Sequence, residues 1–288
     1  MDFEVRTLTT VEEFRTHERL QREIWGSDAI DVPANLLAAG ARYGAVLLGA
    51  YKGSEMVGIL YGFPALTRGR MHHHSHMLGV LTEHRRSGIG LALKMRQREI
   101  VRSQGLEMIT WTVDPLEVGN NLFNFGRLGV TCDTYLVNAY GEMDDALNQG
   151  LPSDRFEVSW WVGEGVGPLS GASRDISFEI QKETPCLVRL ERDDRELPVP
   201  RLQGQSDAEV LLSDAEVLLM EAPLEYRKVR AADVGLALEW RLRLREVFQG
   251  ALGRGYVVVA CVERGGAGCY VLRRVGGASA GGWDQQSR

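Results

Sequence analysis

Apolar and polar positions along this chain switch repeatedly between a period of two and a period near 3.6. Phe3–Leu8 alternates as a strand. Val11, Phe14, Leu20 and Ile24 then fall near one face of a helix over Val11–Trp25. Thr10 and Glu13 are spaced as a capping box for it, and Gly26 ends it. Pro33 suits the first turn of a short second helix that runs to about Ala41. The apolar runs Gly44–Tyr51 and Met56–Phe63, with Lys52-Gly53-Ser54-Glu55 between them, form the pattern of a β-hairpin. In the next strand His74, His76, Leu78 and Val80 fall on one side of the alternation. Helical spacing resumes at Leu91, Met95 and Ile100, and Gly105 stops it. Leu106–Val113 is β-branched and aromatic, a buried strand. Asn120–Leu128 has helical spacing capped by Gly129, and Val130–Ala139 and Arg155–Val162 read as strands. This order predicts an α/β (α+β) layer that begins with a hairpin.

The glycine-rich tract from Gly163 to Ser173 marks a domain boundary, giving a first domain over 1–163 and a second region over 174–275. Within the second, Asp175–Ile180 and Cys186–Leu190 are strand-like. Glu191–Gln205, charged and holding Pro198 and Pro200, reads as an exposed linker. The hexapeptide DAEVLL occurs at 207–212 and again at 214–219, a local duplication too short for a repeat fold. Val217–Glu221 reads as a strand. Leu236, Trp240, Leu244, Val247, Phe248 and Leu252 line one face of a helix over Asp233–Leu252. Tyr256–Val262 and Cys269–Arg273 read as paired strands, and the glycine-rich tail over 276–288 as disordered.

The chain has 288 residues, room for one large or two modest domains. Its net charge of −6 argues against general nucleic-acid binding, which needs a basic face. No apolar run reaches the length of a membrane span, and the opening MDFEVRTL lacks the basic start and apolar core of a signal peptide. The expected location is the cytoplasm. Cys132, Cys186, Cys261 and Cys269 show no metal or disulfide spacing and read as free packing thiols.

Chemistry concentrates between Met71 and Arg102. The turn Arg85-Arg86-Ser87-Gly88-Ile89-Gly90 feeds a helix start at Leu91. Such a start offers unpaired amides and the positive end of the helix dipole to a phosphate. Glycines at 88 and 90 let a phosphate approach the backbone, and Arg85 and Arg86 add charge. The spacing is neither the dinucleotide fingerprint nor a Walker loop. His72, His73, His74 and His76 invite a metal reading, but neighbours in a strand point to opposite faces and no carboxylate or cysteine completes a set; no metal is expected.

The strand, then Arg85-x-x-Gly88-x-Gly90, then helix, followed by Asn121 to Val130 ending Arg127-Leu128-Gly129-Val130, resembles the GNAT superfamily of N-acyltransferases over roughly residues 3–162. The wider pattern is similar to a bacterial subgroup related to amino-acid N-succinyltransferases. The resemblance implies a mixed, largely antiparallel sheet flanked by helices. It also implies an acyl-CoA co-substrate, acetyl-CoA or succinyl-CoA, held by Leu78, Gly79, Val80, Arg85, Arg86, Ser87, Gly88, Ile89, Gly90 and Leu91, with Asn121, Asn124 and Phe125 downstream. A small amine, an amino acid by subgroup, would attack the thioester directly. His76 and His74 are the candidate bases, because an imidazole titrates near neutral pH. Many family members carry a tyrosine acid four residues before the glycine matching Gly129; here Phe125 stands there, so Tyr140 or Tyr135 would serve, or the thiolate would take its proton from water. Phe125 also keeps open a non-catalytic acyl-CoA-binding sensor or scaffold. Arg42, Arg70, Arg127 and Arg155 form the pool for a substrate carboxylate. The 174–275 region is expected to be a lid, a homodimerisation element or a degenerate second GNAT-like half. A sizing column tests the dimer, and a monomer counts against it.

Overall fold

The structure is a computed structural model. It describes residues 2–26, 32–67, 69–141, 150–163, 167, 180, 184–202 and 215–275. The chain divides into two compact units, Met1–Trp111 with Trp161–Val166, and Thr112–Trp160 with Gly167–Arg288. Each is mixed α/β with a mainly antiparallel sheet and helices against it, the class the hydrophobic pattern predicts.

In the first unit β1 (Glu4–Thr7) leads into α1 (Val11–Trp25) and α2 (Ala34–Arg42). Next come β2 (Val46–Lys52), β3 (Glu55–Thr67), β4 (Arg70–Val80), α3 (Ile89–Ser103) and β5 (Met108–Val113), whose last two residues belong to the second unit. The sheet order is β1-β2-β3-β4-β5, antiparallel except for the parallel β4/β5 pair. The capping box forms as spaced: Thr10 Oγ1 accepts from the Glu13 amide at 3.3 Å, and Glu13 Oε2 accepts from the Thr10 amide at 3.0 Å. Lys52 pairs with Glu55 across Gly53-Ser54, a two-residue hairpin loop. Phe14 and Leu20 of α1 and Leu37 of α2 bury against Leu47, Ile59 and Tyr61.

In the second unit α4 (Val118–Asn121) continues as a wide π-type turn, Leu122–Leu128, that Gly129 closes in the left-handed region. Strands β6 (Thr131–Leu136), β7 (Arg155–Trp161, whose last residue belongs to the first unit), β8 (Cys186–Arg192), β9 (Pro198–Leu202) and β10 (Val217–Pro223) follow. Helices α5 (Tyr226–Ala232) and α6 (Val234–Leu252) precede β11 (Tyr256–Arg264) and β12 (Ala267–Arg274). The order is β7-β6-β11-β12-β10-β8-β9, with β10 parallel to β8 and the other recorded pairs antiparallel. Phe156 meets Phe248 edge-to-face at 4.7 Å and Tyr270 at 5.8 Å, and Phe125 packs on Phe156 and Tyr270. The α6 face is the one the spacing predicts, and Asp233 caps it by accepting from the Leu236 amide at 2.9 Å.

One expectation is overturned here. Glu191–Gln205 is not simply a linker: β8 runs on to Arg192, and Pro198–Leu202 pairs antiparallel with it. A strand holding two prolines is tolerated at a sheet edge, where the missing amide hydrogens face no neighbour. The Pro198 carbonyl also accepts from Trp240 Nε1 at 2.8 Å, which ties β9 to α6. The first DAEVLL copy, most of the 163–173 tract, residues 175–179 and the tail from 276 lie outside the described residues. The four cysteines are free and buried. No described helix is long and apolar enough to cross a membrane.

Candidate active site

The turn before α3 is built for an outside acceptor. Leu81 donates its amide to the Val57 carbonyl, which pins the end of β4, and Arg85 Nε reaches back to the Val80 carbonyl at 3.2 Å. Ser87 Oγ donates to the His84 carbonyl at 2.6 Å. Arg86 (φ 62) and Gly88 (φ 90) both adopt the left-handed region, so the chain coils tightly into α3. Gly88 is the N-cap and no side chain caps the helix there. The Ala92 amide is bonded to the Gly88 carbonyl, which leaves the amides of Ile89, Gly90 and Leu91 as the helix's unpaired first donors. A Cβ built on Gly88 or Gly90 meets no atom within 4 Å, so the space over the helix start is open.

Among the described residues, the strand leading to this turn has an open edge. Between β4 and β5 the ladder pairs His73 with Ile109 and His74 with Thr110, and β4 continues six residues beyond, from Ser75 to Val80. That stretch pairs on its other side with β3. The β3 register breaks between Tyr61, opposite Met77, and Gly62, opposite Ser75, which makes His76 the extra residue of a β-bulge. The bulge corrects the one-sided reading of this strand. His74 lies opposite Phe63 whereas Leu78 lies opposite Leu60, so Leu78 and Val80 sit on the other face from His74. Met77 and Gly79 take the His74 face: Met77 packs on the α1/α2 core, and Gly79 lies under Ile24 and Trp25 of α1.

On that face His74 and His76 lie 6.4 Å apart, between centroids, with Phe63 5.5 Å and 6.0 Å from them. His76 is exposed and His74 half-buried. His74 Nδ1 is 3.2 Å from Thr110 Oγ1, and the same hydroxyl is 3.1 Å from His72 Nδ1. Burial pushes His74 down to about 4, helped by the neighbouring His76, His72 and Lys94. Burial also lowers His76, and it lowers His72 against a hydrogen bond with the His73 main chain. All three are therefore neutral imidazoles at pH 7, able to accept a proton. Among the described residues no three His, Cys, Asp or Glu side chains converge as a metal site needs.

The opposite face holds groups the sequence reading passed over. Lys94 of α3 is buried and donates to Ser75 Oγ at 2.8 Å and Gln97 Oε1 at 3.2 Å, with its Nζ 3.7 Å from the Trp111 ring centroid. Beside it His73 is buried, and among the described residues neither of its ring nitrogens has a hydrogen-bond partner. Burial pulls Lys94 from 10.5 to about 7. The folded chain then releases this proton before the unfolded chain does. Between about pH 7 and 10.5 the unfolded state binds more protons, so stability rises with pH across that window. Lys94→Met should raise stability at pH 7, on the order of 1–3 kcal/mol, because burial disfavours the charged ammonium more than its hydrogen bonds favour it. The gain should shrink toward pH 10. Thermal melts of both proteins at the two pH values check this, and parallel stability curves would contradict it.

The downstream candidates all lie in the second unit. Asn121 Nδ2 donates to the Asp114 carbonyl at 2.7 Å, Asn124 is buried, and Phe125 is part of the aromatic core. Tyr140 is exposed, and its hydroxyl shares a 2.6 Å hydrogen bond with Thr112 Oγ1. The Tyr135 hydroxyl donates to Asp154 at 2.8 Å, and burial with that carboxylate pushes its pKa far up. Arg155 is engaged by Asp114 and by the Asp154 carbonyl. Arg70 lies 3.8 Å from Glu107 and over Trp161, while Arg42 and Arg127 are exposed. Thr110 and Lys94 were missed, and His72 was weighed only as a metal ligand. The one sequence signal for Thr110 is a polar residue inside the apolar run Met108-Ile109-Thr110-Trp111.

No protein-family model matches this chain, and no curated protein sequence does. Solved structures do. Ard1 from Thermoplasma volcanium is similar at 16% identity, over 57% of this chain and 100% of that one, with a TM-score of 0.44. The ribosomal-protein-S18-alanine N-acetyltransferase from Escherichia coli is similar at 13% identity, over 57% and 99%, with a TM-score of 0.44. An acetyltransferase of the GNAT family from Streptococcus pneumoniae is similar at 13% identity, over 56% and 99%, with a TM-score of 0.44.

Proposed function

We propose that this chain is a GNAT-type, acyl-CoA-dependent N-acyltransferase that moves an acetyl or succinyl group onto the amine of a small substrate, an amino acid by preference. The observation that carries the reading is the uncapped start of α3, open over Gly88 and Gly90, standing at the end of a strand with a free edge. The amides of Ile89, Gly90 and Leu91 bind the diphosphate of the donor. The pantetheine arm adds to the Ser75–Val80 edge as an extra strand would, which aims the thioester carbonyl at a main-chain N–H among Leu78–Val80. The amine reaches the carbonyl from the face that carries His74 and His76. One of these imidazoles takes the ammonium proton, the nitrogen forms the amide bond, and the C–S bond breaks to release CoA. Most of the acceleration comes from holding the two reactants together.

Thiol release from acetyl-CoA and succinyl-CoA, measured over a panel of D- and L-amino acids, tests this. Turnover with one donor and a narrow set of amines is the expected outcome. CoA that fails to bind in calorimetry would overturn the reading. Binding without turnover on any amine would favour the sensor or scaffold instead. The observation behind that second reading is Phe125, buried in the aromatic core with no proton to give.

A further inference from the structure

We propose that Thr110 joins His74 to His72 in a proton wire that links the reaction centre to solvent at Thr67. The inference rests on the acyltransferase reading and assigns the path by which its proton leaves. Four side chains make the wire. His74 Nδ1 lies 3.2 Å from Thr110 Oγ1, Thr110 Oγ1 lies 3.1 Å from His72 Nδ1, and His72 Nε2 lies 3.1 Å from Thr67 Oγ1. Thr110 and His72 are buried, whereas Thr67 is exposed near the tip of the β3/β4 hairpin. His72, His74 and Thr110 share one side of the sheet through the His74–Thr110 pairing and the alternation of β4. The wire therefore runs along the strands away from the end that leads into α3.

A hydroxyl between two imidazoles can donate to one and accept from the other, so the wire has two orders. In the first, His74 Nδ1–H donates to Thr110, Thr110 donates to His72 Nδ1, and His72 Nε2–H donates to Thr67. This order leaves His74 Nε2 bare, the state a general base needs. When Nε2 takes the ammonium proton, the Nδ1 proton passes to Thr110. The Thr110 proton passes to His72 Nδ1, the His72 Nε2 proton passes to Thr67, and Thr67 gives its own to water. Every oxygen keeps its proton count, and both rings end as the opposite tautomer. The reverse shift resets the wire: His74 Nε2 gives its proton to the leaving thiolate, and water replaces it through Thr67. One pathway thus serves both proton transfers, and no phenol is needed at Phe125.

The surroundings favour this use. The titratable groups that act on the two rings are His73 and His76 of β4, Arg70 at its start and, from across the sheet, Lys94 of α3, while Phe63 of β3 packs on His74. None is a carboxylate that would trap His74 as an imidazolium. Its low proton affinity makes passing the proton onward easier than holding it.

The test compares wild type with Thr110→Val, which keeps the shape, and Thr110→Ser, which keeps the hydroxyl. The valine variant should lose at least about tenfold in kcat, with KM for acyl-CoA unchanged, and the serine variant should keep most of the rate. Ring ¹⁵N NMR provides a readout independent of turnover. His74 should be the Nδ1–H tautomer in wild type and serine variant, and revert to Nε2–H in the valine variant. A valine variant with wild-type kcat and pH profile overturns the wire while leaving the acyltransferase reading intact. If wild type releases no thiol, the acyltransferase reading fails. The tautomers then decide the wire alone: the same His74 tautomer in wild type and valine variant overturns it, and a switch supports it.

Discussion

Gly90→Leu should weaken CoA binding by at least about 100-fold, close to 3 kcal/mol, and leave the fold at least as stable as before. The two halves of that expectation have separate causes. Gly90 is the second residue of α3, its φ is helical, and a Cβ placed there meets nothing within 4 Å. A leucine is thus free of strain, and it removes the entropic cost of a helical glycine, about 0.5–1 kcal/mol. The volume it fills is the volume a diphosphate must enter to reach the amides of Ile89, Gly90 and Leu91. Gly88 makes a less discriminating target. Its φ of 90 penalises any side chain, so Gly88→Leu would lose fold and ligand together. Calorimetry with CoA, beside thermal melts of Gly90→Ala and Gly90→Leu, gives the comparison. Alanine should be intermediate in affinity and at least as stable as wild type. A leucine variant that binds CoA as tightly as wild type would remove the diphosphate from this helix start and the proposed function with it.

The features that could be read from the sequence are those set by neighbours along the chain. Thr10 and Glu13 form their capping box because both partners lie within one turn. The β2/β3 hairpin closes at Gly53-Ser54 because two residues with a glycine suffice for the reversal. The glycine turn into α3 was legible for the same reason. The features that escaped depend on partners far along the chain. The bulge at His76 arises only when β4 is laid against β3, and it inverts the alternation for every residue after it. That is why Leu78 and Val80 were placed on the wrong face. Pro198 and Pro200 argue against a central strand and say nothing of an edge, so β9 read as linker. Lys94 carries a charge inside a helical pattern, and nothing local reveals that Trp111 and Ser75 cover it.

Arg241 is the furthest of these long-range partners, and its removal should cost about 3–5 kcal/mol. Asp114 follows β5 directly, and its oxygens accept from Arg241 Nη1 and Nη2 at 2.6 Å and 2.7 Å, a bidentate pair across 127 residues of sequence. The Arg241 side chain is only 2% exposed and that of Asp114 13%, so solvent screens the pair little. Asp114 also accepts from the Leu116 amide at 2.8 Å, which turns the chain toward α4. Arg241→Met keeps most of the volume but strands a buried carboxylate, with Arg155 left 3.4 Å away as its remaining cation. The loss should appear as a lower denaturation midpoint with an unchanged slope. Asp114→Asn alone should also destabilise, because it unpairs Arg241. The double variant should be more stable than the sum of the singles implies, since neither charge is then left alone. Additive losses in that cycle would mean the two side chains are not coupled. A coupling of 1 kcal/mol or more, on the usual scale of roughly 0.5–3 kcal/mol for contacting residues, would identify α6 as what fixes the segment leaving β5.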